Sequence, residues 1–88
     1  MPVQTWRVDL DRDSDVPLYQ QIANLLRADI EAGVYPPGAV IPPVKRIEQE
    51  TGCTHVTIRK GIDILEDEGL VVVRPGKGTF VKRRENGR

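Results

Sequence analysis

Apolar residues recur at Leu18, Ile22, Leu25, Leu26 and Ile30, the spacing of one face of an α-helix. Pro17 suits the first turn of such a helix, Ser14 or Asp15 offers a side-chain oxygen for its N-cap, and Gly33 stops it. The pattern breaks in Val34-Tyr35-Pro36-Pro37-Gly38, a run dense in turn residues, and the brief apolar stretch Ala39-Val40-Ile41 is long enough only for a minimal edge strand. A second helix is predicted from about Pro43 to Thr51, with Val44 and Ile47 inward and Gly52 as its stop. Thr54 then caps a third, whose apolar positions Val56, Ile58, Ile62, Ile64 and Leu65 run on until Gly69. Two helices joined by a tight glycine-containing turn form a helix-turn-helix. The runs Leu70-Val71-Val72-Val73 and Thr79-Phe80-Val81 flank Arg74-Pro75-Gly76-Lys77-Gly78 and predict a β-hairpin.

The expected fold is therefore α+β: a winged helix-turn-helix of three helices with a C-terminal β-hairpin as the wing. Ahead of it, Val3, Thr5, Trp6, Val8 and Leu10 alternate weakly before a run rich in aspartate, so residues 1–15 are read as an extended arm with at most a short strand. Residues 16–82 form the winged helix, and 83–88 a disordered basic tail.

A length of 88 residues allows one compact domain and not two. Trp6, Tyr19, Tyr35 and Phe80 are the only large rings, too few for the stacking platform of a single-strand binder, and Trp6, Tyr19 and Phe80 are assigned to packing. The net charge of zero argues at first against a nucleic-acid partner, but its distribution does not. From Met1 to Gly33 three basic residues face six acidic ones, whereas from Cys53 to Arg88 eight basic residues face five acidic. Such a chain presents a basic face to phosphates while steering them weakly at long range.

Cys53 has no second cysteine to bond and only His55 near it, so neither a disulfide nor a metal site is expected, and no cofactor. No apolar run approaches the roughly 20 residues that span a bilayer. Asp9, Asp11, Asp13 and Asp15 are unlike a signal peptide, so the expected location is the cytoplasm, on the nucleoid. An enzyme is not expected, since no cysteine–histidine pair with an orienting acid stands out. Gly76-Lys77-Gly78-Thr79 precedes a strand rather than a helix, which rejects a phosphate-binding loop.

The start of a recognition helix turns free N–H groups and a positive dipole end toward phosphate, and its side chains reach base edges in the major groove. Thr54, His55, Thr57 and Arg59 occupy that stretch, and Lys60 joins them. Arg59 suits guanine O6 and N7, His55 a base or phosphate, and Thr54 and Thr57 a phosphate or a thymine methyl. Gly76 lets the wing backbone approach the minor groove, where Lys77 supplies charge. Plainer roles stand beside these: Thr54 as a helix cap bonded to Thr57, Arg59 paired with Asp63, His55 exposed and idle, and the wing loop as an ordinary turn.

Four pieces, in this order and spacing, resemble the DNA-binding domain of the GntR family of bacterial regulators over Val16 to Val81: Pro17-Leu18-Tyr19-Gln20-Gln21-Ile22, the stretch from Gly33 to Pro42, Thr57-Ile58-Arg59, and Leu65-Glu66-Asp67-Glu68-Gly69-Leu70 leading to Gly76-Lys77-Gly78-Thr79-Phe80-Val81. The resemblance implies a sequence-specific binder of double-stranded DNA, most often a repressor, with contacts from the starts of the second and third helices and from the wing tip. Most members have an arginine early in the second helix where this chain has Lys45 beside Arg46, and an arginine where it has His55 after Thr54. Lysine lacks the bidentate fork and histidine offers one hydrogen bond per ring nitrogen, so a typical family operator is not assumed. Lys45 and Arg46 also read as a solvated face.

The implied partner is an inverted-repeat operator, bound as a dimer by a chain that is a monomer or weak dimer in solution. Family members usually carry a C-terminal effector-binding domain. Here the sequence stops a few residues past the wing, as either an excised domain or a stand-alone regulator. The alternative is a winged-helix module that docks a protein partner, favoured by the zero net charge and disfavoured by Thr57-Arg59 and Gly76-Lys77.

Overall fold

The computed structural model describes residues 10–83, so the weak alternation over 3–8 and most of the basic tail lie outside the described residues. Three helices and one hairpin follow in order: α1 Leu18–Glu31, α2 Val44–Thr51, α3 His55–Asp67, β1 Val71–Arg74 and β2 Gly78–Val81.

α1 begins with Pro17 at its N-cap and no side-chain cap, contrary to the expectation for Ser14 or Asp15. The Ser14 hydroxyl is used locally instead, accepting from Val16 N at 3.0 Å. Rather than extending, residues 11–16 bend in turns that Gln21 fastens to α1. Its side chain accepts from Asp11 N at 2.7 Å and donates to Asp11 O and Val16 O, both at 2.8 Å. α1 and α3 end alike, with a glycine in the left-handed region (Gly33 φ 84°, Gly69 φ 79°) and the next residue's N–H reaching back to a carbonyl five residues earlier.

The core gathers Ile22, Ala23 and Leu26 of α1, Ile47 of α2, Ile58, Ile62 and Leu65 of α3, and Val71 and Val81 of the hairpin, with Ile41 and Cys53 from the connections. Val56, one of the apolar positions of the third helix, is 62% exposed. At about 100° per residue it lies roughly 200° around the helix from Ile58, on the far side from the Ile58–Ile62–Leu65 stripe. Gly61 is buried where α3 crosses α1.

The hairpin pairs Val71 with Val81 and Arg74 with Gly78. The minimal edge strand expected at 39–41 is a single bridge, Val40 to Phe80, which leaves β2 between it and β1. Ile41 N donates to Thr79 O and Val81 N to Ala39 O, at 2.9 and 2.8 Å, tying the wing to the segment that leads into α2.

A two-pronged ion pair joins α1 to the end of α3: Arg27 Nε and Nη2 donate to the Glu68 carboxylate at 2.9 and 2.6 Å. Hydrogen bonding to the guanidinium lowers the Glu68 carboxyl below its usual range, and the same bond raises Arg27. A carboxyl lowered by folding contributes stability above its unfolded value and loses it as pH falls through its folded value. The melting temperature should therefore drop on acidification through the carboxylate range, less steeply in Glu68→Gln. Parallel pH–melting curves for the two proteins check this.

Candidate nucleic-acid interface

α3 starts where its sequence dictates. Thr54 holds extended backbone (φ −76°, ψ 158°) and its hydroxyl oxygen accepts from Thr57 N at 3.2 Å, while Thr54 Oγ1 also donates to Thr57 Oγ1 at 3.0 Å. The plain capping role is thus real, and the paired hydroxyls fix the first turn. The N–H groups of His55 and Val56 precede the first intrahelical bond, Ile58 N to Thr54 O, and face out of the helix start. Thr54→Ala should cost about 1 kcal/mol, a fall of roughly 4–8 °C in melting temperature, measurable by thermal denaturation.

His55, Val56, Arg59 and Lys60 are exposed and share one arc of α3, while Thr57 is half-buried at its border. Arg59 makes no ion pair among the described residues, where the pairs are Arg27–Glu68 and Arg46–Glu50. The pairing with Asp63 that its spacing allowed is not formed. Instead Arg59 borders a groove with Val44 at the start of α2, with Asp63 and Glu66 of its own helix, and with Val73 and Thr79 of the wing, so three elements converge beside it and two carboxylates share its groove. Lys60 leans the other way, its ammonium 5.3 Å from the Tyr19 ring centre on α1.

At the start of α2, Lys45 is exposed, whereas Arg46 Nε donates to Glu50 Oε2 at 3.0 Å, one turn on. Part of the Arg46 charge is thus compensated within α2, whereas Lys45 makes no ion pair among the described residues.

At the wing tip, Lys77 N donates to Arg74 O at 2.9 Å, with Pro75 second and Gly76 third at φ 78°, the pattern of a type II turn. A side chain at Gly76 would meet no atom within 4 Å but would sit in the disfavoured left-handed region. Gly76 and Lys77 thus form an exposed, tightly turned tip.

Three residues escaped the sequence reading. Arg74 lies at the wing base with its guanidinium 6.0 Å from the Phe80 ring centre. Arg12 donates through Nη2 to Thr51 O, covering the last carbonyls of α2 at the helix-turn-helix turn. Val56 could have been found by anchoring the helical wheel on Ile58, Ile62 and Leu65; Arg12 could not, because its contact spans 39 residues.

The family model described as "Bacterial regulatory proteins, gntR family" matches residues 18–81. An uncharacterized HTH-type transcriptional regulator of Bacillus subtilis, YurK, is 38% identical over 73 residues, 83% of this chain and 30% of that protein. Among solved structures, the GntR-family transcription factor YtrA from Sulfolobus acidocaldarius superimposes with a TM-score of 0.80 at 29% identity, covering 89% of this chain and 82% of YtrA. The DNA-binding domain of AraR in complex with operator ORX1 gives 0.75 at 32% identity, covering 82% of this chain and 89% of that one. The chain spans less than a third of the length of YurK.

Proposed function

The chain belongs to the gntR family of bacterial regulatory proteins, and from that premise we propose that it is a sequence-specific double-stranded DNA-binding regulator of transcription. α3 enters the major groove and the wing tip follows the adjacent minor groove. The observation that carries this is Arg59: an exposed guanidinium with no acidic partner among the described residues, on one arc with His55, beside a groove bordered by α2 and the wing. The likeness to an AraR DNA-binding domain in complex with its operator supports binding to operator DNA. Arg59 reads guanine through its two-pronged fork and His55 adds one base or phosphate contact. Thr54, Thr57, Lys45 and Lys77 take phosphates, with Lys60 at the edge of the face and Arg46 contributing little, since Glu50 occupies it.

One helix reads few base pairs, so the target is an inverted repeat on which two copies meet, each a monomer or weak dimer beforehand. Bound there, the protein represses by occupying the DNA. It works without catalysis, on the nucleoid in the cytoplasm.

Selection of bound duplexes from a random pool near physiological salt tests this. Enrichment of one inverted repeat is expected, and its half-site spacing gives the bound stoichiometry. Weak, salt-sensitive retention with no enriched sequence would favour a protein-docking module, the reading that the zero net charge of the chain permits.

A further inference from the structure

The solvent-facing arc of α3 has an apolar centre. With about 100° between successive residues, His55 and Arg59 fall on one side of Val56 and Lys60 on the other, all within roughly 140°. Val56 is 62% exposed, the most exposed large hydrophobic residue among those described. It stands in the first turn, the part of a recognition helix that goes deepest into the groove. A β-branched residue there gains nothing from burial and has lower helix propensity than alanine, so neither folding nor helix formation explains it.

The edges of base pairs in a major groove carry mostly donors and acceptors, and their one protruding apolar group is the C5-methyl of thymine. Of the groups in that groove, such a methyl offers an isopropyl side chain the largest apolar surface from which to exclude water. We propose that Val56 is a specificity-determining residue that selects thymine in each half-site by packing its branched methyls on the thymine C5-methyl. The inference rests on α3 entering the major groove as proposed above. It adds an apolar contact to the hydrogen bonds of Arg59 and His55, and it places a required thymine within the same few base pairs as the guanine that Arg59 reads.

The test uses the 88-residue chain and the duplex that it enriches, with each thymine of one half-site replaced in turn by deoxyuridine, which removes only the methyl. At one position the native chain should lose about fourfold in affinity, the worth of one methyl-sized apolar contact. Val56→Ala should bind the thymine and uracil duplexes equally, with an affinity near that of the native chain for uracil. Val56 is exposed and alanine is the better helix former, so the variant should melt no lower than the native chain. An enriched duplex that is indifferent to uracil everywhere, or a Val56→Ala chain that keeps the thymine preference, overturns the inference alone. Failure to enrich any duplex overturns the DNA-binding reading and the inference with it.

Discussion

Arg59→Ala is expected to weaken binding to the enriched duplex by about 10- to 100-fold, while its melting temperature stays close to that of the native chain. The size follows from what the side chain does and does not do in the free protein. Arg59 is exposed and unpaired among the described residues, so truncation breaks no ion pair and opens no cavity. On DNA the same truncation is expected to remove the proposed two-pronged bond and leave guanine O6 and N7 in the groove without their protein donors. Specificity should fall with affinity: at the base pair facing Arg59, discrimination between guanine and the other bases should relax, whereas the salt dependence should change little. Fluorescence anisotropy on the enriched duplex and its single-base variants measures both. An unchanged affinity would mean that Arg59 does not touch DNA.

Gly61→Ala should destabilise the fold, a sign opposite to what helix propensity alone predicts. Alanine in place of a mid-helix glycine is worth about 1 kcal/mol to a helix. At this position the added carbon would lie 2.9 Å from the Tyr19 carbonyl oxygen and 3.1 Å from Ile22 Cγ2, so it strikes the backbone and a buried side chain of α1. Neither can step aside without moving α1 off α3, and such overpacking costs about 1–3 kcal/mol, which outweighs the propensity gain. A net loss of about 1 kcal/mol, or roughly 4–8 °C in melting temperature, is expected by calorimetry. A variant that melts at or above the native temperature would show that the α1–α3 crossing yields freely. The close crossing matters for function because α1 is the platform on which α3 is aimed.

Most of the fold was legible because its signals are local. Gly33, Gly52 and Gly69 end the three helices at or just before their positions, each with φ above +70°. The apolar spacing gave the inward faces of α1 and α3, and the Pro75-Gly76 pair gave the wing turn. What misled was local as well: Ser14 and Asp15 are good capping residues, but Pro17 already sits at the α1 N-cap and Ser14 closes a turn of its own. Val56 belongs to the apolar set of the third helix, yet the geometry of α3 turns it out. The residues found only in three dimensions depend on distant partners. Arg12 lies against Thr51 and Gly61 against the Tyr19 carbonyl, and no periodicity within one helix reveals such pairings. The Arg46–Glu50 pair, by contrast, is local: the two residues stand four apart on one helix, a spacing visible in the sequence.

The placement of α3 and the wing against DNA is tested most directly by following backbone amide resonances while the enriched duplex is added. The largest shifts are expected over residues 54–60, at Lys45 and at Gly76 and Lys77, with little change along the outer side of α1. Shifts confined to another surface, such as the groove between Ile30 and Leu70, or no shifts in α3 at saturating duplex, would contradict this mode of binding.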